Sequence, residues 1–83
     1  MTRQKKLLTA IRNNPKAVKF ADACKVAEQL GFAFRNGKGS HCVYGKAGEP
    51  VILNFQNRDG CIPAYQARQL IEMMDKYENE IPD

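Results

Sequence analysis

Residues 35–46 read RNGKGSHCVYGK and gather most of the groups in this chain that could do chemistry. His41 is the only histidine. Imidazole is the side-chain type whose ordinary pKa, about 6.5, suits proton transfer near neutral pH. Arg35, Lys38 and Lys46 put positive charge around it, and Ser40 adds a hydroxyl donor. Glycine lets backbone approach a ligand closely, so N–H groups near Gly39 could contact a phosphate. These groups suit attack by a ribose 2′-hydroxyl on its neighbouring phosphodiester. A base takes the hydroxyl proton while cations stabilise the charge building on the phosphoryl oxygens. Such cleavage requires no metal and no cofactor. A plainer reading fits the same residues, in which His41 is a strand-end histidine bonded to a nearby backbone group.

Other chemistries fit less well. GSHCVYGKA resembles a nucleotide-phosphate loop, but five residues separate Gly39 from Gly45 where four are needed, and Ala47 replaces the metal-binding Ser/Thr. Cys61 could in principle pair with His41 as a nucleophile, although nothing in the sequence orients such a dyad. Cys42 cannot easily do so, because neighbours on a strand point to opposite faces. One histidine and scattered carboxylates do not make a metal site. Cys24, Cys42 and Cys61 are odd in number and contain no CxxC pair, so reduced thiols packed as small apolar groups are expected.

The elements that must position RNGKGSHCVYGK follow from periodicity. Arg3 to about Arg12 has Leu7, Leu8 and Ile11 on one helical stripe, and Pro15 breaks it. A second helix is expected from about Phe20 to Leu30, with Phe20, Cys24, Ala27 and Leu30 on one face and Asp22 in the first turn. Gly31 followed by Phe32 fits a left-handed C-cap. The period then changes to two. FAFR (32–35), CVYG (42–45) and VILNF (51–55) read as short strands joined by NGKG and KAGEP. Asn36-Gly37 is the strong hairpin signal. Val51, Leu53 and Phe55 share the face expected to meet helices, and Ile52 and Asn54 take the other. A last helix should start at Pro63 and bury Ala67, Leu70, Ile71, Met74 and Tyr77. The order α-α-β-β-β-α implies an α+β two-layer sandwich: a three-stranded antiparallel sheet with helices on one face.

The chain has 83 residues, enough for one small domain (1–83) with a modest core. No apolar run approaches the roughly 18 residues a membrane span requires. The basic N-terminus lacks a long apolar centre and a small-residue cleavage site, so a cytoplasmic location and no membrane partner are expected. The net charge of +4 is unevenly spread. Residues 1–48 carry ten Lys/Arg against Asp22 and Glu28, a balance of +8; residues 49–83 carry three against seven, a balance of −4. A chain polarised this way can present a cationic side to a polyanion. Lysines solvating two helices would give the same arithmetic.

From about Phe20 to Tyr77 the chain resembles the HicA toxins, small bacterial ribonucleases of toxin–antitoxin pairs. The likeness rests on a helix ending Leu30-Gly31-Phe32, on Gly39-Ser40-His41 opening a strand Cys42-Val43-Tyr44, and on a closing helix that starts Pro63-Ala64-Tyr65-Gln66-Ala67-Arg68-Gln69-Leu70. The resemblance implies a fold related to double-stranded RNA-binding domains. It implies metal-independent cleavage of mRNA with His41 as the catalytic residue, and neutralisation by a HicB-like antitoxin. In this division residues 19–78 form the HicA-like core, 1–18 add a leading helix and linker, and 79–83 are a tail. Arg35, Lys38, Gly39, Ser40 and Lys46 are then the expected RNA contacts. The strand VILNFQNRDG lacks the proline- and histidine-bearing end common among relatives, so the proton donor would be Lys38, Tyr44 or a water. An RNA-binding module that does not cleave, using the same basic face, is the alternative.

Overall fold

A computed structural model describes residues 3–81 and has the expected element order. Helix α1 (Arg3–Asn13) is followed by a 3₁₀ turn at Pro15–Ala17 and helix α2 (Phe20–Gln29). Strands β1 (Ala33–Lys38), β2 (His41–Lys46) and β3 (Glu49–Gln56) make an antiparallel meander in the order β1-β2-β3. Helix α3 (Ala64–Tyr77) and a 3₁₀ turn at Glu78–Glu80 complete the chain. The helices pack on one face of the sheet, giving two layers.

The core lies between those layers. Leu53 and Phe55 of β3 are fully buried, as is Ala23, Val26 and Ala27 on α2 and Ala67, Leu70 and Met74 on α3. Of the stripe expected for α2, Ala27 and Leu30 are buried, while Phe20 and Cys24 pack only at the margin; Ala23 and Val26, one step round the helix, take the centre instead. On α3, Gln66 and Met73 are buried, whereas Ile71 and Tyr77 are partly covered. Leu8 and Ile11 bring α1 into the same core, and Ile81 closes it from the C-terminal side. The leading helix is fastened to α3 by Arg12, which lies 2.7 Å from Asp75 and 2.9 Å from Glu78. Segments 1–18 and 79–83 therefore both contribute buried residues to the one core.

Two local devices set where the first hairpin goes. Gly31 has φ +94°, its N–H donates to the Glu28 carbonyl, and the Phe32 N–H donates to the Ala27 carbonyl. That pair of bonds is the Schellman ending anticipated from Gly31-Phe32, and it turns the chain directly into β1. The hairpin itself departs from expectation. Its two-residue turn is Gly39-Ser40, with Gly39 at φ +64° and Lys38 opposite His41, while Asn36 and Gly37 lie inside β1. A turn at Asn36-Gly37 would set Arg35 against Lys38, and like charges directly opposite one another destabilise a ladder. The observed turn removes that clash. Between Phe34 and Asn36 the register slips, leaving Arg35 as the bulged residue of β1.

Candidate nucleic-acid interface

Alternation along β2 decides which way His41 points. Tyr44 is buried against the helices and Cys42 packs beside it. His41 and Val43 therefore face away from the helices, and His41 is exposed. On that open face, register forms rows across the three strands. Lys38, His41 and Gln56 make one row, and Asn36, Val43 and Asn54 make the next. Directly opposed Cβ atoms in such a ladder lie about 4.5–5.5 Å apart, so Lys38 and Gln56 are the immediate neighbours of the imidazole.

The charge on this face has one sign. The three strands contain a single carboxylate, Glu49, and it is buried on the helix side. Among the described residues, the ion pairs are those of Arg12, Lys46 and Lys76; Arg35, Lys38 and Arg58 have none. Carboxylates of the C-terminal half instead meet the helix layer, at Arg12 and Lys76.

Not all the expected contacts converge on His41. Lys38 does so directly, and Ser40 occupies the adjoining exposed turn beside Gly39. The Ser40 carbonyl accepts the Asn57 N–H at 2.8 Å, which ties this turn to the loop after β3. No atom lies within 4 Å of where a Cβ on Gly39 would stand, so the turn's backbone is open to a ligand. Arg35 shares the face but lies further along it, its guanidinium across Gly45, where an added Cβ would come within 2.6 Å of Nε. Lys46 is elsewhere. It ends the far side of β2, turns to the helix layer, donates to the Leu30 carbonyl at 3.1 Å and stands 4.7 Å from the centre of the Tyr77 ring. Its charge is engaged there, 3.8 Å from Glu80, and it does not join the group around Ser40.

The proton donors considered for the site are also separated. Tyr44 is on the opposite face from His41, buried, and donates its hydroxyl to Glu28 at 3.2 Å. Burial, with Cys24 and Glu28 alongside, holds its pKa well above the ordinary phenol range. It cannot serve as the general acid for chemistry at His41. Cys24 lies near it, its thiol pushed up to about 11 chiefly by burial, which makes it an inert packing group. All three cysteines are free thiols. Among the described residues, no three His, Cys, Asp or Glu side chains converge as metal ligands would.

One neighbour of His41 carries no motif that singles it out. Gln56 Oε1 accepts from Arg58 Nε at 3.2 Å and Nη2 at 2.9 Å, which draws the Arg58 guanidinium to the His41 row. The signal was available in the sequence only as period two continued past the strand end, with Gln56 and Arg58 on the face of Asn54. Comparison of the chain with protein-family models, with curated proteins and with solved structures returns no match.

Proposed function

We propose that this protein binds RNA on the open face of its sheet and cleaves it there without a metal, as a HicA-like toxin whose catalytic residue is His41. The observation that carries this reading is the row Lys38–His41 beside an exposed Gly39-Ser40 turn, on strands with no outward carboxylate. Imidazole adjacent to an ammonium supplies a base and a cation that phosphodiester transfer can use. His41 accepts the 2′-hydroxyl proton as that oxygen attacks phosphorus. The bond from phosphorus to the 5′-oxygen breaks, leaving a 2′,3′-cyclic phosphate, and the departing oxygen takes a proton from Lys38 or a water. Lys38 and the N–H groups of the turn stabilise the phosphoryl oxygens meanwhile.

An inhibitor of this activity would cover the same face. A HicB-like antitoxin presenting carboxylates has the complementary charge. No helix among the described residues is long and apolar enough to cross a membrane. The proposed substrate, mRNA, makes the cytoplasm the expected place of action.

Two observations favour the alternative, RNA binding without cleavage: His41 is the only imidazole and Tyr44 is withdrawn from the face. The two readings separate on labelled RNA in the presence of a chelator. Cleavage by the wild-type chain that disappears in His41→Ala, with binding retained, supports the ribonuclease. Binding without cleavage in both proteins selects the module.

A further inference from the structure

We infer that Arg58 is a phosphate-binding residue of the His41 site, held in position by Gln56, and that together with Lys38 it brackets the phosphodiester on either side of the imidazole. The inference rests on the proposed RNA-binding reading and adds to it a second cation from a different segment of the chain.

The argument begins with register. Gln56 is the direct partner of His41 across the β2–β3 ladder, just as Lys38 is its partner across β1–β2. Arg58 follows Gln56 by two residues, and its guanidinium returns to the Gln56 side-chain oxygen through two hydrogen bonds. These bonds use Nε–H and one N–H of Nη2. Three N–H groups remain, two on Nη1 and one on Nη2, and the Nη1–Nη2 edge has the fork geometry that takes two phosphoryl oxygens at once. Among the described residues no carboxylate pairs with Arg58, so that edge is not already occupied by an ion pair.

The segment that carries Arg58 is rigidly held. Its N–H donates to the Cys61 carbonyl at 2.7 Å and its carbonyl accepts the Cys61 N–H at 3.1 Å, closing a two-residue turn. Asp59 and Gly60 at the tip both have positive φ, and Asn57 Oδ1 accepts the Gly60 N–H at 2.7 Å. On one side the loop bonds the Gly39-Ser40 turn through Asn57, and on the other it pairs with Lys19 at the start of α2. A flexible arginine loses much rotamer freedom when it grips a ligand; one already fixed by Gln56 on a braced turn loses less. Lys38, imidazole and guanidinium then form a line, with the central group able to move a proton and the flanking groups able to hold the anion.

The test uses a fluorescent 2′-O-methyl RNA oligonucleotide, which lacks the attacking hydroxyl, and its cleavable ribose counterpart. For the full chain, anisotropy gives affinity and its salt dependence. Arg58→Ala is expected to weaken binding about tenfold and to reduce the slope of log affinity against log salt by about 0.7, the single-strand value for one phosphate contact. Arg58→Lys should keep the slope and still lose cleavage, because an ammonium keeps the charge without the fork. Gln56→Ala, which frees the guanidinium without removing it, should weaken binding less than Arg58→Ala. Arg68→Ala on exposed α3 should leave both readouts unchanged, and thermal melting of each variant shows whether the fold is intact. If the wild-type chain binds and folded Arg58→Ala binds equally well with the same slope, this inference falls and the proposed function stands. If the wild-type chain binds no RNA at low salt, both fall together.

Discussion

His41 owes its exposure to the residues that follow it. Cys42 and Tyr44 are drawn to the helices, and on a strand this forces His41 and Val43 outward. The same alternation removes Tyr44 from the proposed chemistry. Tyr44→Phe is therefore expected to leave RNA cleavage within about twofold of wild type, since a residue that makes no contact with the reacting atoms has no share in the barrier. A loss comparable to that of His41→Ala would place the phenol in the mechanism after all. Lys38 carries the opposite expectation. Lys38→Ala should weaken RNA binding and lower the salt slope by about 0.7 for single-stranded RNA. An unchanged slope would remove Lys38 as a phosphate contact.

At the scale of elements, the sheet is held to the helices by a buried carboxylate at the start of β3. Glu49 accepts from Lys76 at 2.6 Å, from the Tyr77 hydroxyl at 2.5 Å and from the Val51 N–H at 2.8 Å. Those bonds, that of Lys76 first, lower its pKa from 4.5 to about 2. A carboxyl whose pKa is depressed on folding stabilises the fold above its unfolded value and loses that contribution as pH falls through the folded one. Wild-type stability should thus decline between about pH 5 and pH 2. Glu49→Gln should melt several degrees lower at neutral pH and show a shallower decline across that window; parallel curves for the two proteins would refute the assignment.

The elements themselves were largely legible. The helices and their order, the Gly31 cap and the inward set Val51, Leu53, Phe55 follow from period and turn chemistry, whereas the buried faces of α2 and α3 are turned slightly from the expected stripes. The hairpin turn was not, because Asn36-Gly37 is the stronger local signal. What overrides it is pairing: the Gly39-Ser40 turn keeps Arg35 and Lys38 from facing each other, and it places Gly37 inside β1. A Cβ there would stand 2.6 Å from the His41 carbonyl and 2.7 Å from the Phe34 ring. Lys46 misled for a related reason. Its nearness to His41 in sequence says nothing of Leu30, Glu80 and Tyr77, which only folding brings to it. The clasp of Arg58 on Gln56 was equally hidden, since two residues of spacing give a face but no hydrogen bond.

Over the whole molecule, most cations of residues 1–48 lie on or beside the helices, and the open sheet face is distinguished by having no carboxylate of its own. Arg35, Lys38 and Arg58 have no carboxylate partner among the described residues, whereas Arg12 and Lys76 on the helices meet Asp75, Glu78 and Glu49. A surface of this kind should bind single-stranded RNA with a salt slope near −2, the sum of about 0.7 for each of three contacts. The central claim is that His41 cleaves RNA on this face, and it is tested most directly by one comparison. Wild-type chain and His41→Ala are incubated with the same labelled RNA in excess chelator, and the rate of strand scission and the product ends are measured. The account expects a 2′,3′-cyclic phosphate end from the wild type and a rate at least about a hundredfold lower in the variant, the ordinary cost of losing a general base. Equal rates in the two proteins would contradict it.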